Sequence, residues 1–284
     1  MLDGKTGARY ARLRALMAEL GGVVVGLSGG VDSSLLARVA HDTLDRRAVA
    51  VIARSPSLPQ RELDAALAVA RRIGLRHRVV DTAELDDPRY AANRPNRCYF
   101  CKLELFTHLR RVASEEGLAW IAYGENRDDD GDHRPGRAAA ARHGVRAPLR
   151  EAGLTKADVR AIARMLDLPV WDKPAFACLA SRFPYGSEIT ADKLAQVERA
   201  EDNLWHLGFR QVRVRHHGDL ARIEVDRADL PRAVVLAEEI VALVGDAGFA
   251  HVTLDLAGYR RGSLNPRATR ELPLLGDTLE SERG

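Results

Sequence analysis

The stretch Val23-Val24-Val25-Gly26-Leu27, followed by Ser28-Gly29-Gly30-Val31-Asp32-Ser33-Ser34, constrains this 284-residue chain more than any other. An apolar run with consecutive β-branched residues reads as a buried strand, and the glycine pair ends it abruptly. Beyond the turn, Val31, Leu35, Leu36 and Val39 recur at helical spacing, through about Arg46. A glycine-rich turn between a strand and a helix N-terminus aims several backbone N–H groups, and the positive end of a helix dipole, at one spot. A phosphate suits that spot. Ser28, Ser33 and Ser34 add hydroxyl donors, and Asp32 is available to Mg²⁺. The lysine of the G-x-x-x-x-G-K-[ST] loop is missing, so this is not that loop.

The string SGGVDSS resembles the PP-loop of the N-type ATP pyrophosphatases. The resemblance implies cleavage of ATP between its α- and β-phosphates, adenylation of an acceptor and release of pyrophosphate, with Mg²⁺. It does not name the acceptor. By analogy with PP-loop folds, Ala53, Arg54 and Ser55, at the end of the next strand, fall where adenine contacts lie.

Strand and helix patterns alternate through the first 170 or so residues: strands at Ala48–Ile52, His77–Val80 and Ala119–Tyr123, helices at Gln60–Ile73, Cys101–Glu116 and Thr155–Leu166. Thr155 is placed to cap the last of these, with Asp158 in its first turn. Repeated units of this length predict an α/β fold, a doubly wound parallel sheet covered on both faces, with ligands at the carboxyl ends of the strands. Beyond Ala175 the pattern changes. Helices at Thr190–Leu207 and Leu230–Val244, and strands at Gln211–Arg215, Arg222–Val225 and His251–Leu256, predict a smaller C-terminal α+β domain. The division is therefore 1–175, 176–264, and a tail at 265–284 without periodicity.

Charged residues make up 29% of the chain and hydrophobic ones 46%, ordinary for a globular protein, and no apolar run approaches the roughly 20 residues that span a bilayer. The charged N-terminus has no signal-peptide core, so the expectation is a cytoplasmic protein with no membrane partner. A net charge of +3, without a long basic run interleaved with aromatics, argues against nucleic acid as a partner.

An odd number of cysteines, three, in a cytoplasmic protein calls for chemistry other than disulfides. Cys98 and Cys101 form a C-x-x-C pair; Cys178 sits in a run ending Cys178-Leu179-Ala180-Ser181-Arg182. By themselves they admit a metal corner, with His108 or His133 as a loose fourth ligand to Zn²⁺, a redox pair, or a structural coincidence. Asp128 and Asp129, in the acidic loop Asn126–Gly136, are candidates to assist Mg²⁺. Arg213 and Arg215 share one face of an alternating strand, as a phosphate fork or as a solvated face.

The combination of SGGVDSS, RCYFCK, YGENRDD, GDHRPG, EAGLTKADVR and WDKPAFACLASRFPYGSEIT resembles the LarE family, the ATP-dependent sulfurtransferases of nickel-pincer nucleotide biosynthesis, from about Gly21 to Gly262. The resemblance implies a small-molecule nucleotide substrate, pyridinium-3,5-biscarboxylic acid mononucleotide, whose carboxylates are adenylated and turned to thiocarboxylates. It implies that Cys178 is catalytic. Either Cys178 alone gives up its sulfur, or Cys98, Cys101 and Cys178 together hold a [4Fe-4S] cluster that carries a transferable sulfide; having all three positions, this sequence resembles the cluster type. Ser181, Arg182, Arg213, Arg215 and Glu224 match positions that hold the substrate phosphate or a metal, and family members tend to assemble as homo-oligomers. A tRNA thiolase, an ammonia-using synthetase and a non-catalytic nucleotide-binding regulator are the alternatives the residues leave open.

Overall fold

The computed structural model describes residues 2–131, 136–174, 176–260 and 263–264. Helix α1 (Gly4–Leu20) leads into strand β1 (Val23–Gly26) and helix α2 (Val31–Leu44), followed by β2 (Ala48–Arg54), α3 (Gln60–Ile73) and β3 (Arg76–Asp81). Then come the short α4 (Pro88–Ala91), the long α5 (Arg97–Glu115), β4 (Trp120–Tyr123), α6 (Gly136–Arg142), α7 (Pro148–Glu151) and α8 (Lys156–Met165). The C-terminal part carries α9 (Ala191–His206), β5 (Val212–His217), β6 (Leu220–Val225), α10 (Leu230–Val235), α11 (Ala237–Asp246) and β7 (His251–Leu254).

The first four strands form one parallel sheet in the order β3-β2-β1-β4. A single parallel bridge between Ala122 and Arg146 continues it beyond β4. Successive side chains of a strand point to opposite faces, and here both faces are buried. Val23, Val25, Ala48, Ala50 and Ile52 join a core that includes residues of α1, α2, α3 and α8. Val24, Val49, Val51 and Ile121 join a second core with α5 and α6 on the other side. The doubly wound parallel sheet expected from the alternation is therefore present. The chain leaves β1 toward β2 on one side and reaches β4 on the other, so the switch of direction lies at β1, whose carboxyl end carries the glycine turn.

The smaller sheet has the order β5-β6-β7, with β5 and β6 antiparallel and β7 parallel to β6. Leu194, Val197, Ala200 and Leu204 of α9 pack with Val212, Val214, Ile223 and Val225 and with Ile240 and Val244 of α11. Two boundaries differ from the sequence pattern in ways that matter. Helix α5 begins at Arg97 rather than Cys101, directly after the Pro95–Asn96 break, so both cysteines of the C-x-x-C pair lie on it, Cys98 in its first turn and Cys101 at the start of the second. The helix expected over Leu230–Val244 is divided at Leu236, whose backbone (φ −93°, ψ 22°) leaves the helical region, giving α10 and α11. The last strand stops at Leu254, two residues early. Among the described residues no helix is long and apolar enough to cross a membrane.

Candidate active site

The glycine turn is built from backbone geometry and small side chains. Gly29 has φ +72°, the left-handed region, and a Cβ there would lie 3.1–3.2 Å from Ala66 N, Cα and Cβ at the next helix. Only glycine satisfies both constraints. Gly30 is the N-cap of α2 with no side chain of its own to bond, which leaves first-turn amides without an intrahelical acceptor. Ser33 Oγ sits 3.2 Å from Ser28 N and 3.1 Å from both Ser28 Oγ and Gly30 O, closing the turn on itself. Ser34 is fully buried, and its hydroxyl has no partner among the described residues. At Gly124, just past β4, a Cβ would meet Ser33 N at 2.6 Å, so the end of β4 lies against the first turn of α2.

Two lysines converge on this turn, although the sequence pattern gave no reason to expect them. Lys173 Nζ is 2.7 Å from Glu62 Oε2 and 3.3 Å from Gly29 O. Lys156 Nζ pairs with Asp32 Oδ2, while Asn126 Nδ2 donates to Asp32 Oδ1 at 2.9 Å. Thus the cation absent from the loop itself comes from distant segments. The chain has only five lysines, and both lie in the motif runs EAGLTKADVR and WDKPAFACLASR. That scarcity was the available signal. Asp128 and Asp129 turn toward backbone amides: Asp128 Oδ2 accepts from Lys156 N at 2.9 Å and Asp129 Oδ2 from Asn126 N at 3.1 Å. They brace the acidic loop against α8 and, through Lys156 and Asn126, against Asp32. Thr155 and Asp158 form a reciprocal capping box on α8, as the sequence suggested. At the end of β2, Ala53 is half-buried, and Arg54 forms an exposed fork with Asp81, Nε–Oδ1 2.5 Å and Nη2–Oδ2 2.9 Å. Ser55 and Ser57 instead bond Glu84.

The C-terminal constellation is of another kind. Arg182 is fully buried and forms a two-point pair with Glu201, Nε–Oε1 and Nη2–Oε2 both 2.8 Å. Its remaining nitrogen donates to Ala177 O, Cys178 O at 3.0 Å and Ser181 Oγ at 3.0 Å. Arg182 therefore clasps the Cys178 segment and leaves little donor capacity for a ligand. Burial pushes the Glu201 carboxyl up, but Arg182 outweighs it and holds the group below its ordinary value. Arg215 bonds Glu224 (Nε 3.0 Å, Nη2 2.7 Å) and Ser181 O at 2.9 Å. Arg213 shares a face of β5 with Arg215 but has no carboxylate within ion-pair distance among the described residues. Its cation lies over Phe176 and Tyr259, 5.4 and 5.3 Å from the ring centres. Burial pushes its guanidinium down to about 10, with Arg182 adding repulsion, so it remains cationic at neutral pH. Ser181, Arg213 and Arg215 line one cavity of about 110 Å³. Glu201 escaped the sequence reading, yet it occupies an apolar-stripe position of α9 between Val197 and Leu204, and a charge there is a signal.

None of the three cysteines is in a disulfide. Cys101 and Cys178 pack against one apolar cluster, beside Tyr90, Leu179 and Phe183, and Cys98 is exposed at the start of α5. Burial pushes the Cys101 thiol up to about 12; Lys102 opposes this, and Cys178, Glu84 and Cys98 reinforce it. The chain thus brings Cys101 and Cys178 into one environment although they lie 77 positions apart in sequence. Among the described residues no group of three or more His, Cys, Asp or Glu side chains is gathered at metal-binding spacing. His108 bonds Glu104 at 3.0 Å, and His133 lies outside the described residues.

The NAD synthase family profile matches residues 11–105, the part carrying the glycine turn and the first three strands. An uncharacterized protein of Synechocystis sp. is 47% identical over 93% of this chain and 99% of its own length. An uncharacterized protein of Methanocaldococcus jannaschii is 28% identical over 84% of this chain and 90% of its own. The pyridinium-3,5-bisthiocarboxylic acid mononucleotide synthase of Lactiplantibacillus plantarum is 38% identical over 92% of this chain and 95% of its own. The chain belongs to the LarE family. As a LarE protein it places the ATP-type turn on the large sheet and the arginine cavity on the small one, and Lys173 and Arg182 stand on either side of Cys178 in one segment. The LarE match extends across both sheets, whereas the NAD synthase profile stops at α5, before Cys178.

Proposed function

We propose that this protein is an ATP-dependent sulfurtransferase that converts the carboxylates of pyridinium-3,5-biscarboxylic acid mononucleotide to thiocarboxylates for nickel-pincer nucleotide synthesis. The observation that carries the reading is the 38% identity, over nearly the whole of both chains, to a synthase named for that bisthiocarboxylic product. A carboxylate is a poor electrophile because its oxygen leaves badly. Attack of that oxygen on the α-phosphorus of ATP expels pyrophosphate and gives an acyl adenylate, an anhydride open to sulfur. Sulfur then adds to the acyl carbon and AMP departs with the oxygen. Two rounds give the bisthiocarboxylate.

In this reading Ser28, Gly29, Gly30, Ser33 and Ser34 receive the phosphates, with Lys173 supplying positive charge and Asp32 a carboxylate for Mg²⁺. Residues 1–175 form the activating unit and 176–264 the unit that presents the acceptor; residues 265–284 and Ala175 lie outside the described residues. Arg213 and Ser181 hold the acceptor's phosphate. Arg215 and Glu224 shape that end of the cavity, and Arg182 fixes the backbone of Cys178.

Cys98, Cys101 and Cys178 have the donor chemistry for a [4Fe-4S] cluster: three sulfurs, two of them already sharing an apolar surround. When bound, such a group supplies an iron without a protein ligand, at which sulfide is held. Because Cys98 is exposed whereas Cys101 and Cys178 pack against one apolar cluster, a second reading has Cys178 alone lose its sulfur as its Cα proton leaves, ending as dehydroalanine. Anaerobic iron and acid-labile sulfide analysis, with intact mass before and after turnover, separates the two. The activity itself is tested with ATP, Mg²⁺ and the dicarboxylate nucleotide: pyrophosphate release that depends on the nucleotide, and a product in which oxygen is replaced by sulfur, are expected. Pyrophosphate release independent of that acceptor would sink the reading.

A further inference from the structure

The small-sheet cavity has one more arginine. Its walls include Arg97, Ser181, Tyr185, Arg213, Arg215 and Tyr259, so residues from the first turn of α5 face residues of β5 across it. Arg215 is neutralised by Glu224, but neither Arg213 nor Arg97 has a carboxylate within ion-pair distance among the described residues. Arg97 is 7% exposed, and its Nε is buried with no hydrogen-bond partner among the described residues. A buried guanidinium with an empty donor is costly unless something supplies the acceptor.

The side chain is held rather than loose. Arg97 Nη1 donates to Asn93 Oδ1 at 2.5 Å, and its guanidinium lies 5.3 Å from the centre of the Tyr185 ring. Asn93 is fully buried with φ +50° and donates its amide to Pro184 O at 2.7 Å, tying α5 to the segment after Cys178. With Nη1 engaged by Asn93, the Nε–Nη2 edge is the one without an acceptor among the described residues, and that edge is the fork that matches a carboxylate. Arg97 also immediately precedes Cys98. A carboxylate on Arg97 and a phosphate on Arg213 would therefore span the cavity between two aromatic rings, Tyr185 and Tyr259, suited to a planar cationic ring.

We infer that Arg97 is a binding residue for a ring carboxylate of the acceptor, through its unpartnered Nε–Nη2 edge, and so selects pyridinium nucleotides that carry acid groups. The inference rests on the proposed function and names the group that distinguishes its acceptor. Isothermal titration compares pyridinium-3,5-biscarboxylic acid mononucleotide with nicotinamide mononucleotide, which keeps the phosphate and the cationic ring but carries a carboxamide. In wild-type protein the dicarboxylate binds tighter. Arg97→Gln weakens it roughly tenfold or more while nicotinamide mononucleotide changes less than twofold. Arg97→Lys, which keeps the charge without the fork, shows the same selectivity in smaller measure and serves if the glutamine variant does not fold. Equal loss for both ligands, or loss for neither, overturns the assignment. Acceptor-dependent pyrophosphate release by wild-type protein is measured in parallel: its presence with an unchanged ligand ratio in the variants rejects Arg97 alone, and its absence rejects the function and the inference together.

Discussion

The glycine turn and the arginine cavity gather hydrogen-bond donors by opposite means. At Ser28–Ser34 the donors are largely backbone amides and small hydroxyls, positioned by one strand, one turn and one helix that are adjacent in sequence. In the cavity they are long cationic side chains from β5 and the first turn of α5, and a buried carboxylate, Glu224, pairs with one of them. A backbone site needs no counter-charge when empty. A side-chain site does, and the choice of which arginine receives a partner decides which ones remain for the ligand. Arg182 and Arg215 are spoken for by Glu201 and Glu224; among the described residues Arg213 and Arg97 have no carboxylate partner.

The sharpest way to break this contrast is to remove a counter-charge. Glu201→Ala leaves the buried Arg182 uncompensated, and a loss of about 3–5 kcal/mol is expected in urea unfolding. Pairing Arg182→Met with Glu201→Leu is expected to recover most of it, because the cost lies in the unpaired charge and not in the missing contact. If Glu201→Ala unfolds like wild type, the ion pair is not what holds the Cys178 segment.

Smaller effects are expected at the backbone site. Gly29→Ala forces a side chain into the left-handed region and onto Ala66, for about 1–3 kcal/mol of destabilisation and loss of ATP-dependent pyrophosphate release. Gly30→Ala, whose Cβ would find only Ser28 Oγ at 3.7 Å, is the control and is expected to fold normally. Equal behaviour of the two variants would mean that the turn is not built on the geometry of Gly29.

Acid sensitivity comes next. Burial pushes the Asp158 carboxyl up, but hydrogen bonds from Thr6, Thr155 and Arg9 outweigh it and hold it well below 3.8. Because the folded value is depressed, the carboxylate's contribution is complete above the unfolded value of about 3.9 and is lost as the pH falls below it. The stability gap between wild type and Asp158→Asn is therefore expected at pH 5 and above and to narrow progressively below about pH 4, as read from unfolding midpoints across that range.

The least change is expected at Arg54. Its fork with Asp81 is solvent-exposed, so Arg54→Ala should leave the unfolding midpoint where it is. A weaker affinity for ATP in that variant would tie Arg54 to the adenine; unchanged affinity would remove it from the ATP site.

Much of the fold was legible because its signals are local. The helix over Gln60–Ile73 has the bounds its apolar spacing gives, and α9 falls one residue inside its expected bounds at each end. The start of α5 was not legible, since Arg97-Cys98-Tyr99-Phe100 has no amphipathic pattern of its own and is fixed by packing against the segment after Cys178. Nor was the break at Leu236, where apolar spacing runs on through a residue whose backbone leaves the helix. Of the site residues, Arg213 and Arg215 share a face because a strand alternates with period two. The roles of Arg182 and Arg97 depend on partners 19 and 4 residues away, and no periodicity says which carboxylate or amide each will find.

By itself the sequence determined the glycine turn and the doubly covered sheet beneath it. Those depend on backbone conformation, β-branching and apolar spacing within a dozen contiguous residues, and such preferences act before any tertiary contact forms. Tertiary structure alone decided that Lys156 and Lys173 bring charge to a turn that has no lysine, that Cys101 and Cys178 share one apolar surround, and which arginines are consumed by buried carboxylates. These outcomes turn on desolvation and pairing between residues far apart in the chain, and a charge has no fixed meaning until the fold sets its distance from water and from the opposite charge.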